Sequence, residues 1–185
     1  MKRNKIIQNT LILNRITFWL LVVVLTGVTF GVGYLFTFPE SYPNLRILND
    51  GNPSTFNLCT ECDFTPKSIL LSEIVLGMKF WILLRLSIMG LLTILIIHFT
   101  IEILRSVRDL KTFHNQNTLH FRRIATSALV LFLINTFNFI DEGQYGIGLE
   151  IDFPLHWVII ALFSLSLGEV FKEGQQLQED KDAVI

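Results

Sequence analysis

The sequence predicts an all-α fold, an integral membrane bundle of four transmembrane helices with a small external loop cap and a cytoplasmic extension of the last helix. Three observations predict it. The Lys, Arg, Asp and Glu residues stand in blocks, the intervals between blocks are long and apolar, and the links alternate between basic and acidic. Half of the 185 residues are hydrophobic (51%) and 17% are charged, so a soluble core alone does not account for the composition. The bilayer is the solvent that fits.

The first helix is expected over about 16–38. From Ile16 to Phe38 there are 23 residues without a charged side chain, which as a helix would be about 34 Å long. That exceeds the roughly 30 Å hydrocarbon thickness. "MKRNK" resembles the basic start of a signal peptide, but the apolar run is longer than a signal core and no A-x-A-like cleavage site follows, so an uncleaved anchor is expected. The second helix is expected over about 80–104, the third over 120–140 and the fourth over 153–177. The last two carry Asn135, Asn138, Asp152, His156 and Glu169 inside or beside their apolar runs. A chain in lipid must satisfy its own backbone hydrogen bonds, and four long helical runs exclude a barrel.

Orientation follows from the bases near the span ends. Lys2, Arg3, Lys5 and Arg15 precede the first helix without an acid. The link 105–119 and its flanks hold Arg105, Arg108, Lys111, Arg122 and Arg123 against Glu102 and Asp109. The loop 39–79 has five acids to three bases, and "DEGQYGIGLEID", covering the loop 141–152, has four acids and no base. Both termini and the link 105–119 are therefore expected in the cytoplasm, with loops 39–79 and 141–152 outside. Within the outer loops, "LRILNDGNPSTF" has an Asp-Gly turn signal between short apolar runs and "IGLEIDF" alternates, which together suggest a small sheet or hairpin.

The closing stretch "GEVFKEGQQLQEDKDAVI" keeps an apolar stripe, Leu167, Val170, Phe171, Gly174 and Leu177, as it leaves the membrane. Its polar face is acidic, which favours a partner or another cytoplasmic segment over anionic lipid, with a solvated helix end as the alternative. This stretch resembles the closing motif of the domain of unknown function 2975 family of small bacterial membrane proteins, with Glu169, Val170, Phe171, Gly174, Leu177, Glu179, Asp180 and Asp182 in the matching places. "FHNQNTLHFRRIA" is similar to a second motif of that family, carried by Phe113, Asn117, Arg122 and Arg123. The chain departs from the family at "DAVI". The resemblance implies four transmembrane helices, residence in a bacterial inner membrane and, often, a neighbouring gene for a small helix-turn-helix regulator. No catalytic residues are known for the family, so none are implied.

Cys59 and Cys62 form a C-x-x-C in the first outer loop. Three readings are open. One is a local disulfide, another a metal site that would need two further ligands, and the third an extracytoplasmic thiol oxidoreductase, which would need a second cysteine pair that the chain lacks. His98 and Glu102 share a helical face with Arg105 at the next turn, either an interfacial ion cluster or part of a proton path. Asn135 and Asn138 are expected on one face of the third helix as interhelical hydrogen-bond partners. Glu169 is placed to meet Arg122 or Arg123. The bases of the link follow from membrane orientation, so direct nucleic-acid binding is not expected. No phosphate loop, zinc pair or nucleophile elbow occurs, and no cofactor or metal is expected. The expected function is non-catalytic, a membrane receptor or anchor for a cytoplasmic partner such as a transcriptional regulator, engaged through Arg105 to Arg123 and Glu169 to Ile185. A small transporter or immunity-type membrane protein is the alternative.

Overall fold

The computed structural model describes residues 5–42, 45–48, 57–59, 68–70, 72–109, 115–141 and 147–183. Four helices account for most of them: α1 (Lys5–Thr37), α2 (Leu76–Arg108), α3 (Asn115–Thr136) and α4 (Leu155–Ala183). Five short strands lie between them: β1 (Arg46–Leu48), β2 (Asn57–Cys59), β3 (Ser68–Leu70), β4 (Phe137–Asp141) and β5 (Ile147–Ile151). Three helices, α1, α2 and α4, are long and apolar enough to cross a membrane. At 33 residues each, α1 and α2 are about 50 Å long.

The helices outrun the apolar segments that announce them. α1 begins at Lys5 rather than near residue 16, because "KIIQNTLILNR" has good helix formers but too many polar residues to register as lipid-facing. α2 begins at Leu76 rather than 80 and reaches Arg108, where Arg105 and Arg108 in its last turn complement the negative end of the helix dipole. This start places Arg85 nine residues into α2, more than two turns in, where it is half-buried. The link expected over 105–119 thus shortens, and α4 continues beyond 177 to Ala183.

The third helix requires the largest correction. It ends at Thr136, not 140, and the next five residues form β4, antiparallel to β5 with Phe137 opposite Ile151 and Asp141 opposite Ile147. Aromatic and β-branched residues suit a strand as well as a helix, so the apolar run alone does not decide between them. Pairing does. The Asp152 amide donates to the Thr136 carbonyl at 3.0 Å, satisfying one of the acceptors that a helix C-terminus leaves open. Asn138 consequently sits in β4 opposite Glu150, and the expected pair of amides on one helical face does not exist. The strands also form two sheets rather than one, β2-β1-β3 and β4-β5, with β1 antiparallel to both of its neighbours.

Packing divides the chain into two compact units. One comprises Met1–Val24, Gly90–Phe132 and Leu155–Ile185, and the other Leu25–Met89 and Leu133–Pro154. In the second unit Val32 and Phe36 of α1 and Met78 of α2 close over Leu45 and Ile74, with Trp81, Ile82 and Leu86 against them. In the first unit, α3 carries the most deeply buried side chains. Ala128 and Leu131 have no exposed surface, and Ala125 and Ala161 of α4 are almost as enclosed. Ala125, Ala128 and Ala161 form one cluster flanked by Ile96 and Trp157, while Ile103, Phe121 and Ile124 form another with Phe99, Leu167 and Phe171 around it.

α1 shows the opposite distribution. Trp19, Val23 and Phe30 are 62%, 68% and 76% exposed, a density of bare apolar surface that water would not tolerate but acyl chains would. Four hydroxyls on the apolar helices are closed off locally. Thr37, Ser87, Thr100 and Ser166 each donate to the carbonyl four residues earlier, at 2.8 to 3.0 Å.

The enclosure of Ala128 gives a direct test. Ala128→Leu would force extra methyl groups into a filled interior and should lower stability by about 1–3 kcal/mol, read as a reduced unfolding midpoint of the purified protein in detergent. The reverse change at an exposed position of the same helix, Leu133→Ala, should have a much smaller effect.

Candidate functional site

Most of the residues singled out in the sequence gather in the first unit, where the end of α2, the start of α3 and the later part of α4 meet. The start of α3 is tied to the end of α2 from inside. Asn117, only 1% exposed, donates through Nδ2 to the Ser106 hydroxyl at 2.9 Å. A buried amide needs such a partner because leaving it unpaired costs about 1–3 kcal/mol.

One turn further on α3, Phe121 faces α4. Its ring meets Phe171 edge-on, with centroids 5.0 Å apart and planes at 62°, the geometry that places a positive ring edge on a negative face. Gly168 lies beside this contact, where there is room for a methyl group but little more. A Cβ built there would lie 3.4 Å from the Phe121 Cβ and 3.9 Å from the Thr118 carbonyl oxygen. Beside it, Arg122 donates from Nη2 to Glu169 Oε1 at 2.9 Å, and Lys172 reaches Glu169 Oε2 at 3.4 Å. Both partners of the Arg122 pair are about half exposed, so it fixes orientation more than it stabilises.

Arg123 goes elsewhere. Successive helix positions differ by about 100°, and its guanidinium lies over the Phe99 ring of α2, 5.5 Å from the centroid. His120 stacks on the same ring at 5.4 Å with planes 25° apart, and His98 stands 5.7 Å from it on the α2 side. Phe18 of α1 lies 6.3 Å from His98. Phe99 is therefore a hub surrounded by three groups that carry or can carry positive charge. Glu102, one turn on from Phe99, accepts from Arg105 Nη1 at 2.6 Å. His120 lies ahead of the apolar run of α3. Burial, helped by the charge of Arg123 and by His98, holds its imidazole below the ordinary histidine range, with Glu102 pulling the other way.

The structure thus brings together Glu102 with Arg105 and Arg122 with Glu169, and sets Phe171 against Phe121 rather than against an arginine. Gly174 is half-buried on α4, whereas Leu177 is 70% exposed. Asn135 is half-buried on α3 and engaged. The C-x-x-C reading falls largely outside the described residues: Cys59 occurs in β2 opposite Arg46, and Cys62 is not among them, nor is Phe113. Among the described residues, no three His, Cys, Asp or Glu side chains converge as metal ligands. Phe99, Ser106, His120 and Gly168 escaped the sequence reading. Only Gly168 carried a visible signal, a small residue at the end of an apolar run that also holds Ala161 and Ser164 on one helical face.

The class is thus a helical protein with three helices long and apolar enough to cross a membrane and a polar, aromatic-lined junction among α2, α3 and α4. The chain belongs to the family described as proteins of unknown function, DUF2975, whose profile matches residues 77–185. That span contains α2 from its second residue, α3, the β4-β5 hairpin and α4, and so the whole junction contributed by these elements. No match was found among curated proteins or among solved structures.

The Asn117 contact yields a measurable expectation. Asn117→Leu should destabilise the detergent-solubilised protein, while the double change with Ser106→Ala should cost less than the sum of the single changes. A coupling of about 0.5–1.5 kcal/mol from the four unfolding curves would match one buried hydrogen bond.

Proposed function

We propose that the protein is a non-catalytic, four-pass receptor or anchor of a bacterial inner membrane that engages a cytoplasmic partner, such as a small helix-turn-helix regulator. The observation that carries this reading is the continuation of α4. The helix runs unbroken to Ala183, well past its contact with Phe121, and presents Leu177 at 70% exposure among Glu173, Glu179, Asp180 and Lys181. A helix that stays regular and keeps an exposed leucine on a charged surface is suited to a protein partner.

The threading follows from charge. Basic residues ahead of the apolar run of α1, and at the end of α2 and the start of α3, are held inside, and acidic loops are placed outside. In this reading α3 makes the fourth crossing. It can be the least apolar of the four because its buried face meets protein rather than lipid. The closed packing around Ala125, Ala128 and Leu131 also favours an anchor over a transporter, which would need water-filled space beside this helix.

Co-purification of the full chain in detergent with the regulator encoded beside it tests the proposal. Truncation after Phe171 retains the Phe121 contact and removes the exposed tail, and it should abolish the association. Leu177→Asp should weaken binding at least tenfold. Undiminished binding by both variants would reject the role assigned to the tail.

A further inference from the structure

We propose that Glu102 exchanges partners with pH, pairing with Arg105 while His120 is neutral and turning to the His120 imidazolium when that ring takes up a proton. The inference stands whether or not a cytoplasmic partner binds. His120 lies in the second turn of α3. Its ring lies flat on Phe99, and its Nδ1 is shut away from solvent with no hydrogen-bond partner. A neutral imidazole tolerates this, because one ring nitrogen can remain an unprotonated acceptor at modest cost. An imidazolium does not, because both nitrogens become donors and a buried N–H without an acceptor is costly.

The neighbours determine which acceptor responds. On its own helix His120 has Arg123, which is already over Phe99 and is cationic. From α2 it feels His98 and Glu102, and of these Glu102 is the carboxylate. α1 offers the uncharged ring of Phe18, which lies against His98. The nearby acid of α4, Glu169, is occupied by Arg122 and Lys172. Glu102 holds Arg105 through one oxygen, Oε1, and its side chain is 30% exposed, so the carboxylate has a second oxygen and room to turn. Phe99 and Glu102 are three residues apart and therefore neighbours on α2, so the reorientation spans a single helical turn.

The sign follows from the burial of the ring and the positive charge beside it. The folded protein takes up the His120 proton less readily than the unfolded chain, whose histidine titrates near ~6.5. Stability is therefore undiminished at this site above that pH, falls as the pH drops through the folded pKa, and is constant below it. Attraction to Glu102 recovers part of that loss. The exchange accordingly belongs to mildly acidic conditions, and it would loosen Arg105 at the end of α2, beside the Asn117–Ser106 bond.

The test uses the full chain in detergent micelles, with selectively labelled histidine and arginine side chains followed by NMR from pH 8 to pH 4.5. The Arg105 Nε–H signal should shift with the same midpoint as the His120 ring, below ~6.5. In His120→Gln that shift of Arg105 should vanish. An Arg105 signal that stays constant while His120 titrates in the unmodified protein would overturn the proposal, and so would an unchanged Arg105 titration in His120→Gln. The first of these readings needs no variant, so a His120 variant that fails to fold leaves the proposal testable.

Discussion

The close approach of α3 and α4 is the constraint on which the first unit depends. Lipid is as apolar as leucine, so helices in it gain little from hiding hydrophobic surface from one another. They gain from dispersion contacts and from polar groups that pair, and both require the backbones to come near. Ala125 and Ala128 on one helix and Ala161, Ser164 and Gly168 on the other remove the side chains that would hold them apart. The Phe121–Phe171 contact and the Arg122–Glu169 pair are set where that approach has already been made. A bulky residue at any of these small positions would separate the helices and dismantle the contacts that follow.

The same logic explains why α3 is the least apolar of the long helices. Asn117, Thr118 and Ser127 are buried in it, yet their surroundings are protein rather than lipid. Selection for oily composition falls instead on α1, α2 and α4, which are long and apolar enough to cross a membrane. The electrostatics of the junction are similarly divided. Pairs near the exposed ends of helices, such as Arg108 with Asp109, are wet and weak, whereas His120 on Phe99 is partly withdrawn from solvent.

Much of the fold was legible in the sequence because its strongest signals are local. A run such as Ile16–Phe38 has one physical interpretation, and four helices follow from four such runs. The end of α3 was not legible, since Phe137 to Ile140 suits helix or strand until its partner is known, and that partner begins only at Ile147. The early start of α1 was hidden because Asn9, Asn14 and Arg15 suppress hydropathy without preventing helix. Among the side chains, the Arg122–Glu169 pair could be narrowed to two adjacent arginines but no further, because the choice depends on the rotation of α3 about its axis. Phe99 is one of 16 phenylalanines, and nothing in its neighbours in the sequence marks it as the one that gathers two histidines and an arginine.

The hydroxyls of Thr37, Ser87, Thr100 and Ser166 each spend their proton on a carbonyl of their own helix. To any molecule diffusing alongside in the bilayer, these positions carry little chemical invitation, and recognition there has to work by contour. A neighbour that recognises donors and acceptors would have to find them at other positions than these four.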